Sequence, residues 1–510
     1  MARYLTRNGQ TSSNRNTTTA ILSQIPWPET MCTATRDLAT YVSGLSLEAV
    51  PGQVRHEAKR LVLDTLGCLI AGVDCEIGSI ASSMATWFGL QSRATIAGAQ
   101  ARGSVLGAIY ANARTANALD FDETFPVGAH FGSAGVVVAL ALAEEFGLSG
   151  PEMLLATIAG YEFAGRIASY IGPVAHVDGG RVVGFPDVWG VAAPVVIAAA
   201  AATAKARQYG PSLFQQAIGL AGSNAPLPVG AQWSSAVDLP NCKYCDAGWC
   251  AVTGTVAALS AQEGSRGFTE LLDGERGLAR MYGVANADSS LLTADLGRRF
   301  MLEDITYKPW PSCRFTHYAL TALADLLERR PLAVDSIREV VVETGPLAAS
   351  ARFTNPEPAT FASQQFSYPH MIAMMLLDVP PGLAWFDPKH AADPAVRALK
   401  AKTRVVQHPR ASRFAETFVH NQIRTMPGGI TIVTSDGVHR AESDYARGDP
   451  WSPNSRFGDA EILEKFAALV PGEDGAELAD AVMNLEHEAS VSRIAAALGR
   501  ASTRGILKCA

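Results

Sequence analysis

From Ala34 onward the apolar residues recur at mostly three- and four-residue spacings. Leu47, Val50, Val54, Ala58, Leu61, Val62 and Leu66 form one such stripe. This period predicts helices, and further helical stretches are predicted near 103–122, 132–146, 151–170, 189–207, 211–222 and 246–262. Alanine and glycine are dense in them, and small side chains let helix axes approach closely. Strand signals are few in the first 300 residues.

After about residue 304 the texture changes. Ser336 to Glu343 is β-branched and strand-like, as are Arg404 to Gln407 and Ile430 to Thr434. Asp436-Gly437 offers a tight turn after the last of these. Helices are predicted near 315–329 and 366–378, which makes this stretch an α+β module. From Asp459 the pattern is helical again. The chain therefore divides into a tail or targeting segment over 1–33, a large all-helical domain over 34–303 and a smaller α+β lid over 304–446. A helical segment over 447–510 rejoins the first domain. The expected fold class is mostly α.

Composition narrows the functions. The chain has 510 residues, 48% apolar and 18% charged, with a net charge of −7. That is a globular composition with a large core, and its acidity argues against a nucleic-acid surface. An anionic substrate then needs a local basic pocket. No apolar run reaches the roughly 18 residues of a membrane span; Val191 to Ala202 reads as a buried helix. The first 30 residues carry Arg3, Arg7 and Arg15 and no acid before Glu29. They fit a disordered tail or a mitochondrial presequence, so the expected location is intracellular, cytoplasmic or mitochondrial. Cys242, Cys245 and Cys250 provide half of a zinc-ribbon pattern with no second half. Reduced thiols and no metal are expected there. No strand–GxGxxG–helix or Walker loop calls for a nucleotide cofactor, and no three-cysteine set suits an aconitase-type cluster.

The segment Asn117-Ala-Leu-Asp-Phe-Asp-Glu-Thr-Phe-Pro-Val-Gly-Ala-His130 is the richest in chemistry. Asp120, Asp122 and Glu123 are read as ending a helical run, with Asp120 and Thr124 on one helix face. Acids at a helix C-terminus oppose the macrodipole, and such local inconsistency is tolerated at functional sites. The plainer reading is a solvated helix end with a capping histidine.

That segment, followed by His-x-x-Ser-Ala, resembles the signature of the MmgE/PrpD family. Three further segments resemble it in the same order: Lys243-Tyr-Cys-Asp-Ala-Gly-Trp249, Tyr307-Lys-Pro-Trp-Pro-Ser-Cys-Arg-Phe-Thr-His317 and Asp449-Pro-Trp-Ser-Pro-Asn454. The resemblance spans about residues 34 to 470. It implies a helical domain and an α+β lid with the active site between them, in a homodimer, with no cofactor and a small tricarboxylate as partner. The implied site comprises Asp120, Thr124, His130, Lys243 and Lys308, with Arg314, His317 and His370 as further substrate-binding candidates. The chain also departs from the family pattern. Pro186 stands where many members carry a histidine, Asp246 replaces another, Pro126 takes a place open to histidine, and Tyr368-Pro-His370 occupies an aromatic position.

The residues themselves fit these roles. Lys243 precedes a helix that Asp246 can cap, and Lys308 precedes the helix holding Thr316 and His317. A helix N-terminus beside a lysine is a ready carboxylate site, and two on different domains can grip two carboxylates and draw the lid shut. His130 is the candidate for proton transfer, since imidazole titrates near working pH. The expected activity is dehydration of 2-methylcitrate or a longer 2-alkylcitrate. The aromatic and proline residues Phe125, Pro126, Pro186, Trp189, Trp249 and Trp310 have two readings: they simply pack the domain interface, as most aromatics do, or they form an apolar pocket wall for an alkyl tail. The alternatives are cis-aconitate decarboxylation, epimerisation of a small dicarboxylate, and an inactive binding protein of the same fold.

Overall fold

The computed structural model describes residues 33–89, 93–99, 102–228, 230–284 and 287–500. The expected tail lies, apart from Thr33, outside the described residues. The fold is mostly helical, with a four-stranded sheet in the C-terminal half. No helix among the described residues is long and apolar enough to cross a membrane.

The helix Ala192–Ala206 is the hub of the helical region. Every residue in it except Lys205 is buried, as its uniform run of Ala, Val and Ile requires. The helices Gly132–Phe146, Gly150–Ile171 and Ala247–Gln262 pack around it. Contact is close because small residues meet: a Cβ at Gly254 would stand 2.1 Å from the carbonyl oxygen of Val196. Helix Gly150–Ile171 starts with a capping box, in which Ser149 and Glu152 satisfy each other's backbone amides.

The sheet runs in the order Thr403–Gln407, Ile337–Thr344, Gly428–Thr434, Val438–Ser443. The first pair is parallel and the other two are antiparallel. The helix His317–Arg329 lies across the last two strands. Its strongly one-sided apolar face buries Tyr318, Leu320, Leu323 and Leu326. After the sheet the chain returns. Helix Asp459–Leu469 packs on Gly52–Gly72, with Phe466 2.9 Å from where a Cβ of Gly67 would stand.

Two readings of the sequence need correction. The helix expected over 103–122 spans Val105–Ala116, so Asp120, Asp122 and Glu123 sit in the loop beyond it and Asp120 shares no helix face with Thr124. The helix stops with Asn117 as its C-cap, and Asp120, whose φ of +52° belongs to the left-handed region, cannot resume it. Two short antiparallel pairs, Ala94–Thr95 with Arg102–Gly103 and His176–Asp178 with Arg181–Gly184, also escaped the reading. They are too short to display a period-two pattern.

Candidate active site

Three chain segments meet at Asp120. The first is the loop Asn117–His130. The second is the turn before helix Ala247–Gln262, whose N-cap Asp246 accepts from the amides of Gly248 and Trp249. The third is the stretch leading into the lid, where Thr306 and Thr124 exchange backbone hydrogen bonds of 2.9 and 3.1 Å. That bridge delivers Lys308 to the loop. Its ammonium donates to the Asp120 carbonyl at 2.9 Å and to Oδ1 at 2.8 Å. The Lys243 ammonium donates to the Asn117 carbonyl at 2.8 Å and lies 4.0 Å from the same Oδ1. Lys243 also has a left-handed φ of +52°. Two non-glycine residues held in this sparsely populated region, facing each other, mark the place as one the fold over-determines.

His130 completes the cluster. Its Nδ1 lies 2.7 Å from the Glu123 carbonyl, which can only accept, so Nδ1 carries the hydrogen. The neutral ring then turns a bare Nε2 towards Asp120 Oδ1, 3.5 Å away. The Thr124 hydroxyl is 3.5 Å from Nδ1. All five residues are buried.

Burial and neighbouring charge set the proton inventory. Burial pushes the His130 imidazolium down to about 3, helped by Lys308 and Lys243 and opposed by Asp120. Burial acts to raise the Asp120 carboxyl, but the two ammoniums outweigh it and hold it well below the usual carboxylate range. Asp122 is raised by burial to about 6, and both its oxygens accept from the side-chain amide nitrogen of Asn117. Glu123 is raised well above the usual range by burial and by Asp122. One of its oxygens accepts from the amides of Phe131 and Gly132 at the start of the next helix. A Cβ at Gly132 would stand 2.9 Å from that carboxyl, so the position requires glycine.

Behind the loop, Lys465 of the returning helix donates to the Phe121 carbonyl at 2.7 Å and to Asp64 at 2.6 Å. A cleft of about 810 Å³ opens on this side against Phe121, Trp310 and Lys465, and does not reach Asp120 or His130.

The structure does not bring the remaining candidates to this centre. Arg314 pairs with Asp449 and lies against Tyr318, fastening the fourth motif segment to the lid. His317 is buried with Nδ1 and Nε2 each 3.2 Å from a backbone carbonyl, of Cys313 and Trp310. His370 donates to the Trp385 carbonyl at 2.8 Å inside the lid. Among the aromatics, Trp189 borders the centre, 5.9 Å from the ring of Tyr244. Phe125 packs inward on Phe131 and Tyr161, and Trp249 is half exposed on the outer surface against Phe88 and Tyr110. Tyr244, which the sequence reading passed over, stacks on His130 at 6.2 Å. Its position next to Lys243 was the available signal.

Asp120, Asp122 and His130 offer ligand atoms close enough to hold a metal ion. Two ammoniums already face that carboxylate, however, and a divalent cation would meet their repulsion.

The centre is thus a buried carboxylate approached by two lysines beside a neutral imidazole. Residues 36–288 match the MmgE/PrpD N-terminal domain and residues 310–487 the MmgE/PrpD C-terminal domain. The chain belongs to the MmgE/PrpD family. It is 27% identical over 388 residues to the cis-aconitate decarboxylase of Homo sapiens, covering 74% of this chain and 77% of that protein. The cis-aconitate decarboxylase-like protein oryM of Aspergillus oryzae is 24% identical over 496 residues, 91% of this chain and 96% of its own length. Cis-aconitate decarboxylase of Aspergillus terreus is 25% identical over 364 residues, 68% and 72% of the two chains.

Proposed function

We propose that the protein is a carboxy-lyase acting on a cis-aconitate-type tricarboxylate. The observation that carries this reading is the proton inventory of the buried cluster. Among the described residues His130 is the imidazole that turns its second nitrogen to Asp120, the carboxylate both lysines approach, and Pro186 stands where a further imidazole could have been. Decarboxylation needs a single proton delivery. The C–C bond to the departing carboxylate breaks, its electron pair spreads into the unsaturated, carboxylate-bearing remainder, and one proton closes the reaction. Dehydration needs a base for carbon and an acid for the leaving hydroxyl. The activities named for the relatives point the same way and reverse the order of preference drawn from sequence.

In this reading Lys243 and Lys308 leave Asp120 in part to bind two substrate carboxylates and stabilise the charge that develops beside them. The incoming negative charge also relieves the repulsion that keeps His130 neutral. Its affinity for a proton rises as substrate binds, so that Nε2 can hold and deliver one. Thr124 orients the ring and Asp120 the lysines. The charge required is supplied by the chain itself, without a cofactor. The exposed apolar side chains Trp249 and Val256 on one helix support a homodimer.

A second reading, dehydration of a 2-alkylcitrate, draws on Asp122. Its raised carboxyl lies 3.7 Å from His130 Nδ1 and can supply the additional acid. Incubation with cis-aconitate, 2-methylcitrate and hexylcitrate in turn, with products followed by NMR, separates the two. Carbon dioxide and an alkene dicarboxylate from cis-aconitate support the first reading. A new alkene formed from an alkylcitrate without loss of carbon dioxide supports the second.

A further inference from the structure

Beyond Tyr244 the centre continues into an aromatic wall. Tyr244 stands 6.0 Å from Trp233 and 5.9 Å from Trp189, the two indoles are 4.3 Å apart, and Phe366 closes on Trp233 at 5.5 Å. Arg352 lies against Trp233, its guanidinium carbon 3.5 Å from the centre of the indole ring. Arg352 is 2% exposed and ranks among the largest fully buried side chains. One Nη donates to the Trp233 carbonyl, but Nε and Nη1 have no acceptor. No carboxylate pairs with it among the described residues. The Trp233 Nε1 and the Tyr244 hydroxyl, on the residues that join Arg352 to His130, are also buried without a partner.

An unpaired buried guanidinium is costly, and so are buried donors left unsatisfied. The other buried arginines of this fold illustrate the usual remedy: Arg166 pairs with Glu162 at 2.7 Å and Arg314 with Asp449. Among the described residues Arg352 has no such remedy, which leaves its free donors open to an acceptor on a bound anion. Arginine is also the side chain best suited to a planar carboxylate. We propose that Arg352, with Trp233 and Tyr244, forms an anion subsite that takes the substrate carboxylate lying farthest from the two lysines. This rests on the lyase reading and adds to it. The aromatic wall leads to a cation, so the remote end of the substrate is a carboxylate rather than an alkyl terminus. The subsite makes the enzyme selective for tricarboxylates over dicarboxylates.

The test is calorimetric binding of two inert probes, propane-1,2,3-tricarboxylate and its dicarboxylate counterpart pentanedioate, to the full-length protein. In the wild type the tricarboxylate binds more tightly. In Arg352→Gln its affinity falls by about tenfold to a hundredfold, the range of one charge-assisted hydrogen bond, while that of pentanedioate hardly changes. Arg352→Lys keeps the charge and loses less. Equal weakening of both probes, or of neither, overturns the proposal. Should the variants fail to fold, a crystal structure of the wild type with the tricarboxylate decides, because a carboxylate must lie within 3.5 Å or so of the guanidinium. Binding is measured apart from turnover, so the two readings fail separately. Arg352-dependent binding without turnover of any tricarboxylate leaves the subsite standing and removes the lyase. Decarboxylation together with unchanged binding by Arg352→Gln does the reverse.

Discussion

Lys308 Nζ lies 2.8 Å from Oδ1 of Asp120 and 2.9 Å from its carbonyl oxygen, across 188 positions of sequence. This contact ties the first stretch of the lid to the acidic loop of the helical domain. Lys243 and this contact together keep the carboxylate ionised against the upward push of burial. Breaking a buried pair by removing one partner costs about 3–5 kcal/mol, because the other charge is left uncompensated. Lys308→Met should therefore lower both stability and turnover. The double variant Lys308→Met/Asp120→Asn, which removes both charges, should recover most of the stability and none of the activity. Chemical denaturation beside a turnover assay checks this. Recovery of activity in the double variant would show that the pair is only structural.

Lys243 donates to the Asn117 carbonyl in the same cluster and stands 4.0 Å from the Asp120 carboxylate. Lys243→Ala should leave the fold intact and reduce kcat/KM by at least about a hundredfold, the scale of a lost transition-state charge contact. Steady-state kinetics with circular dichroism is the check, and a change confined to KM would assign Lys243 to ground-state binding alone.

Acid should destabilise the protein earlier than carboxylates alone would dictate. Burial lowers His370 from 6.5 to about 4 and His130 to about 3. The folded state keeps both neutral while the unfolded chain protonates them below 6.5. Their contribution is thus complete above pH 6.5 and lost as pH falls towards 4 and then 3. For His370 the loss amounts to about 3 kcal/mol by pH 4. Melting temperatures between pH 7.5 and 4.5 should fall steeply in the wild type and less steeply in His370→Gln. Because His370 is bonded to Trp385 away from the lysines, the same variant should leave KM unchanged.

Prolonged chelation should leave turnover unchanged, and added divalent cations should not raise it, since Lys243 and Lys308 already occupy the cationic positions around Asp120. Activity lost to a chelator and restored by one metal would transfer the role to the cluster of Asp120, Asp122 and His130.

Much of this was legible in the sequence because local pattern governs it. Helical periodicity and small residues foretold the bundle, three β-branched runs foretold three of the four strands while the Asp436-Gly437 turn pointed to the last, and the motif order foretold that Asp120, His130, Lys243 and Lys308 meet. What the sequence hid is tertiary. The helix stops at Ala116, and the left-handed turn at Asp120 belongs to a loop defined by distant Lys308 and the Thr306 bridge. Arg314 looked like a ligand until its partner Asp449, far along the chain, came beside it. Arg352 gives no local sign at all, since being unpaired is a property of everything packed around it.

The central claim is that one buried imidazole completes the decarboxylation of a tricarboxylate held by two lysines. The most direct measurement is turnover of carbon-13-labelled cis-aconitate in D2O, followed by NMR for the wild type and His130→Gln. One labelled carbon dioxide released for each deuteron placed on carbon, together with a His130→Gln protein that still binds the substrate but forms neither product, is the expected result. Hydration or dehydration without carbon dioxide, or undiminished turnover in His130→Gln, would contradict the account.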